Sequence, residues 1–105
     1  MGGEMDGVRL MSPETIEKAL LEQSNGIDAI LATPTRFGLG FQLNSDFSPK
    51  GPNLRSFGHT GAGGSLGFAD PDAKIGFGYA MNQMQIGIAG DPRAQALIQA
   101  VYASL

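Results

Sequence analysis

Phe57-Gly58-His59-Thr60-Gly61-Ala62-Gly63-Gly64-Ser65-Leu66-Gly67-Phe68-Ala69 contains the only histidine of the chain, its densest glycine cluster and a pair of hydroxyl residues. Leu66 and Phe68 alternate with small residues, which is the period of a strand. Residues 55–60 read as extended, so the Gly61-Ala62-Gly63-Gly64 run joins two strands through a tight backbone segment. The same alternation recurs on either side. Phe37, Leu39, Phe41 and Leu43 alternate with Gly38, Gly40 and Gln42, which predicts one strand over residues 36–43. Ile75, Phe77, Tyr79 and Met81 alternate with Gly76, Gly78 and Ala80, which predicts another over residues 74–82. Asp70-Pro71-Asp72-Ala73 is the turn between them.

In all three strands one face is large and apolar, and the other is mostly small: glycine, alanine or serine. A sheet wetted on one side carries polar residues there. Glycine instead signals close approach by another backbone. An antiparallel sheet covered on both faces follows, and the two helices of this chain provide little cover for it. The N-terminal helix opens at Ser12-Pro13-Glu14, with Ser12 as cap and Pro13 at the first position. Its apolar face is Ile16, Ala19 and Leu20, and Asn25-Gly26 is its stop signal. The C-terminal helix opens at Asp91-Pro92 and carries Leu97, Ile98, Val101, Tyr102 and Leu105 as its stripe. Gly2 to Gly7 reads as a turn and Val8-Arg9-Leu10 as a short extended piece. Residues 27–35 fit either helix or loop, closed by Pro34. Residues 44–53, rich in Pro, Gly, Ser and Asp, read as a surface loop. The expected fold class is α/β in the loose, α+β sense: about three to four antiparallel strands between terminal helices.

Composition narrows the function classes. The 105 residues allow one small domain over 1–105, and the 7 basic and 10 acidic residues give a net charge of −3. No basic patch invites nucleic acid or an anionic membrane. There is no cysteine, hence no disulfide, thiolate metal site or thiol nucleophile. Asp70 and Asp72 are explained by their turn, so no metal or other cofactor is expected. No apolar run of about 18 residues is present to span a membrane. The N-terminus lacks a leader pattern, which favours a soluble, cytoplasmic chain over a secreted one.

Two local motifs compete for the glycine cluster. Gly63-Gly64-Ser65-Leu66-Gly67 satisfies G-x-S-x-G, the nucleophile elbow of α/β-hydrolases. That elbow, however, needs a helix after the serine and a histidine later in the chain. Here a strand follows Ser65, and His59 precedes it. Gly61-Ala62-Gly63 begins G-x-G as a phosphate loop would, but Leu66 stands in place of the third glycine and no Gly-Lys-Ser/Thr follows.

Beyond these, the chain resembles the C-terminal part of β-lactamase-like serine hydrolases: class C β-lactamases, penicillin-binding DD-peptidases and related carboxylesterases. The resemblance is carried by Phe37-Gly38-Leu39-Gly40-Phe41, by Phe57 through Pro71, and by Gly76-Phe77-Gly78-Tyr79-Ala80-Met81-Asn82. It extends to the opening Gly2 to Pro13 and the Asp91-Pro92-Arg93-Ala94 helix start. His59-Thr60-Gly61 matches the family's Lys/His-Thr/Ser-Gly triplet on the strand lining the active site. The resemblance implies that His59, Thr60 and Gly61 bind substrate, with Gly61 clearing room along the strand edge and Thr60 donating to a polar group. It implies that the backbone N–H of Ala62 is one oxyanion donor. Histidine, mostly neutral at pH 7, stands where true lactamases carry lysine. That favours an esterase-like or peptidase-like branch.

The family nucleophile lies in S-x-x-K, and no serine here has a lysine three positions on. Thr15-Ile16-Glu17-Lys18 has the spacing by chance on a helix. Tyr102-Ala103-Ser104 imitates the second motif, Tyr-x-Asn/Ser, within an apolar stripe. Both true motifs are expected N-terminal to this chain, which by itself is expected to be inactive. The parent is expected to act on a small ester, amide or β-lactam. A self-associating or fragment-binding module, and an elbow esterase using Ser65, are the alternatives.

Overall fold

The structure, a computed structural model, describes residues 2–105. β1 (Glu4–Met5) and β2 (Val8–Arg9) form a small antiparallel ribbon. α1 (Pro13–Leu20) follows, with Thr15 N donating to Ser12 Oγ at 3.2 Å as its cap. The remaining strands form one antiparallel sheet in chain order: β3 (Ser24–Ile27), β4 (Pro34–Phe37), β5 (Gln42–Leu43), β6 (Phe57–Thr60), β7 (Leu66–Asp70) and β8 (Ile75–Tyr79). α2 (Pro92–Ala103) closes the chain, capped by Asp91.

The sheet has six strands where three to four were expected, and the difference arises in two places. α1 stops at Leu20, short of Asn25-Gly26, because residues 24–27 pair with β4 from Ser24↔Phe37 to Ile27↔Pro34. Strand pairing there overrides the local helical signal. The expected single strand over 36–43 is instead a hairpin, in which Gly38 N donates to Phe41 O at 2.9 Å and Gly40 has φ 79°. The cause is a close approach. Leu39 N donates to Ala19 O, and a Cβ on Gly38 would collide with that same carbonyl. A period-two pattern therefore runs straight through a bend.

The core lies on the large face of β7 and β8. Leu66 and Phe68 pack with Ala94 and Ile98 of α2, flanked by Phe77, Tyr79 and Tyr102. Burying each of the larger side chains contributes about 1.5–3 kcal/mol. On the opposite face Gly67, Gly76 and Gly78 are exposed, with no atom within 4 Å of a Cβ built on any of them. Within this chain the sheet is thus covered by α2 on one side and open along its glycines on the other. Asp70, 2% exposed, ends β7 by accepting hydrogen bonds from Asn53 Nδ2, Tyr102 Oη and the backbone N–H groups of Asp72 and Ala73. The Pro71 turn is as expected, but its first aspartate is a buried anchor.

Candidate active site

β6 is paired along its length with β7, from Phe57↔Ala69 to Thr60↔Leu66. With β5 it pairs only at Leu43↔Phe57 and Gln42↔Gly58. Past Gly58, one side of β6 has no strand neighbour, and a cleft of about 250 Å³ opens there. Phe37, Gln42, Phe47, His59, Thr60 and Ala62 contribute to its wall.

His59 is exposed, its ring centroid 5.9 Å from that of Phe37. Its Nδ1 lies 2.6 Å from Thr60 O. A carbonyl oxygen only accepts, so Nδ1 carries a proton, and in the neutral ring Nε2 is the free acceptor. Among the described residues no carboxylate pairs with the ring, so nothing orients it as a general base.

Thr60 Oγ1 donates a long hydrogen bond, 3.3 Å, to Gln42 Oε1. With its proton turned inward, the hydroxyl presents lone pairs to the cleft.

Gly61 N donates to Ser65 O at 2.8 Å, and Gly64 N donates to Gly61 O at 3.2 Å. Gly63 has φ 90°, so residues 61–64 form a type II turn with Ala62 and Gly63 at its centre. The Ala62 N–H, at the outer corner, donates to no atom among the described residues. The turn is fixed from outside. Gly63 N donates to Gly87 O and Gly63 O accepts from Gln85 N, both at 3.0 Å. Arg93 reaches Gly63 O, Gln83 O and the Asp91 carboxylate. The Arg93 guanidinium holds the Asp91 carboxyl down at about 2. Gly64, at φ 120°, leaves no room for a side chain because the Asp91 carboxylate fills that space.

His59, Thr60 and Ala62 therefore share one cleft, while Gly61 borders the neighbouring depression with Ser65 and Asp91. A Cβ on Gly61 would run into Ser65 Oγ. Glycine at 61 thus leaves room for the Ser65 hydroxyl. Ser65 leads directly into β7, so the strand-to-helix corner of an elbow is absent. Tyr102 sits on α2 against Asp70, within the core cluster.

A polar cluster behind Thr60 has no counterpart among the sequence expectations. Residues 44–53 are not a simple surface loop: Ser48 and Lys50 are buried, Lys50 completely. Lys50 Nζ donates to Gln42 Oε1 (3.0 Å), Ser48 O (3.0 Å) and Ser48 Oγ (2.9 Å). Ser48 Oγ also donates to Gln42 Oε1 at 2.8 Å. Burial pulls the Lys50 ammonium down to about 8. A lysine among Pro, Ser and Asp residues gave no sign of this, because the loop folds back on itself to offer both Ser48 oxygens and meets Gln42 on β5.

Residues 3–101 match the model of the family described as Beta-lactamase. The protein named Esterase/beta-lactamase LipL, from Mycobacterium tuberculosis (strain ATCC 25618 / H37Rv), is 33% identical over 84 residues, 79% of this chain and 19% of that protein. A family VIII carboxylesterase structure superposes with TM-score 0.92 at 44% identity, over 99% of this chain and 28% of that one. A penicillin-binding protein homolog from Caulobacter crescentus gives TM-score 0.90 and 40% identity, again over 99% and 28%. The chain thus spans less than a third of the length of each of these relatives.

Proposed function

This chain belongs to the Beta-lactamase family, and on that premise we propose that it is the substrate-facing wall of a serine hydrolase working through an acyl-serine intermediate. The observation that carries the proposal is the Ala62 N–H, unpartnered at the corner of a turn braced on both sides. When a serine Oγ adds to an ester, amide or β-lactam carbonyl, the C=O π pair moves onto oxygen. That oxyanion needs donors already in place. Ala62 N–H is one such donor, and the nucleophile's own N–H is the other. The nucleophile comes from an S-x-x-K motif outside residues 1–105. Thr60 and His59 Nε2 offer acceptors to the substrate along the open side of β6, and neither carries a fixed positive charge. That favours neutral esters over substrates recognised through a carboxylate.

Ala62→Pro tests this reading cleanly. Proline suits the first central position of a type II turn, so the variant deletes the N–H and keeps the backbone path. In the hydrolase carrying this chain, kcat for p-nitrophenyl butyrate is expected to fall about 10²–10³-fold, with Ala62→Gly near wild type. Unchanged turnover in Ala62→Pro would remove Ala62 from the oxyanion site.

The open face at Gly67, Gly76 and Gly78 supports a second reading, an association module without catalysis. Sedimentation of the chain as a cooperatively folding monomer would count against it.

A further inference from the structure

Gln42 carries an amide whose direction is dictated by its neighbours. Lysine has only donors, and the fully buried Lys50 Nζ sits 3.0 Å from Gln42 Oε1. Ser48 Oγ and Thr60 Oγ1 also donate to that oxygen. The oxygen is therefore committed inward, and rotating the amide by half a turn would set two sets of N–H donors against each other. The nitrogen is left over. Gln42 Nε2 donates to no atom among the described residues, yet it is not a closed-off, unsatisfied group, and Gln42 lines the cleft shared by His59, Thr60 and Ala62. A buried cation without a carboxylate is costly to keep, and no acidic side chain among the described residues pairs with Lys50.

We propose that Gln42 Nε2 is a substrate-binding donor that selects esters bearing a second hydrogen-bond acceptor beside the scissile acyl group, and that Lys50 is the positioning residue holding the Gln42 amide in that sense. The inference rests on the hydrolase reading of the same cleft. It gives the wall of the cleft a side-chain donor in addition to the backbone N–H of Ala62. Thr60 and His59 Nε2 face the cleft as acceptors, so Gln42 is the side-chain donor among these three. A substrate carbonyl or ether oxygen placed there satisfies an N–H that would otherwise need water. A plain alkyl chain placed there strips that water and returns nothing.

The test uses two esters that differ by one oxygen, p-nitrophenyl levulinate (a 4-oxopentanoate) and p-nitrophenyl pentanoate, hydrolysed by the serine hydrolase carrying this chain. The wild type is expected to prefer the keto ester about tenfold in kcat/KM, with most of the difference in KM. Gln42→Glu keeps the shape and the partner of Lys50 but has no donor, and should bring the ratio to about one. Lys50→Met should also lower the ratio by freeing the amide to turn. A structural role alone would slow both esters equally and leave the ratio intact. If Lys50→Met fails to fold, Gln42→Glu still decides the matter. A wild-type ratio of one, or an unchanged ratio in Gln42→Glu, overturns the inference while leaving the hydrolase intact. Absence of activity on both esters in the wild type overturns the hydrolase reading and this inference with it.

Discussion

Tyr102 Oη donates to Asp70 Oδ2 at 2.6 Å, fastening the last turns of α2 to the end of β7. Burial alone would raise the Asp70 carboxyl. The N–H of Ala73, the Tyr102 hydroxyl, Asn53 and the N–H of Asp72 together outweigh it, and the group lies below its usual range. Tyr102→Phe should therefore destabilise the chain by about 2 kcal/mol, the scale of a hydrogen bond to a charged acceptor. Urea denaturation should show the midpoint shift with an unchanged m-value.

Stability should climb with alkalinity before it falls. Lys50 is lowered by burial from 10.5 to about 8 in the folded state. Between about pH 8 and 10.5 the unfolded chain binds the extra proton, so unfolding becomes harder as pH rises. The full gain is about 3 kcal/mol. Tyr102 works in the opposite sense. Burial, reinforced by its bond to Asp70, pushes its hydroxyl up to about 12, so above pH 10 the unfolded state loses its proton first and stability drops. Thermal melts should peak near pH 10, and the rising limb should vanish in Lys50→Met.

The two glycines of the turn should respond differently to alanine. At Gly64 a methyl group meets the Asp91 carboxylate and the Arg93 guanidinium at φ 120°, so Gly64→Ala should cost about 2 kcal/mol or more. At Gly61 the obstacle is one hydroxyl, Ser65 Oγ. Gly61→Ala should be milder, and Ser65→Ala in the same chain should relieve most of its cost. A double-mutant cycle in denaturant measures the coupling.

Ser65→Ala alone should leave ester hydrolysis by the parent within about twofold, because surface-scale changes of a few tenths of a kcal/mol are all it touches. A total loss of turnover would instead make Ser65 the nucleophile.

Where local chemistry governed the backbone, it was legible in advance. Ser12-Pro13 and Asp91-Pro92 open their helices where capping rules put them, and Leu66 and Phe68 face the core as their alternation implies. Gly38 and Leu39 misled because their conformation answers to Ala19 O, a partner about twenty residues away that no periodicity encodes. β3 was hidden for another reason: Ser24 to Ile27 carry no period-two apolar alternation, and only their pairing with β4 makes them a strand. The triplet at 59–61 stood out by composition, but Gln42 and Lys50 did not. One passed as a polar break in a strand pattern and the other as loop charge.

The bracing of the 61–64 turn has a consequence in time as well as in space. The amides of Gly61, Gly63 and Gly64 are each hydrogen-bonded, and that of Ala62 between them is not. Deuterium should enter position 62 almost at the open-chain rate while its neighbours wait for the turn to unlatch from residues 85–87. A single fast-exchanging proton set in a slow frame is the signature of a donor immobilised before any ligand arrives. Filling the cleft should then slow that one amide most.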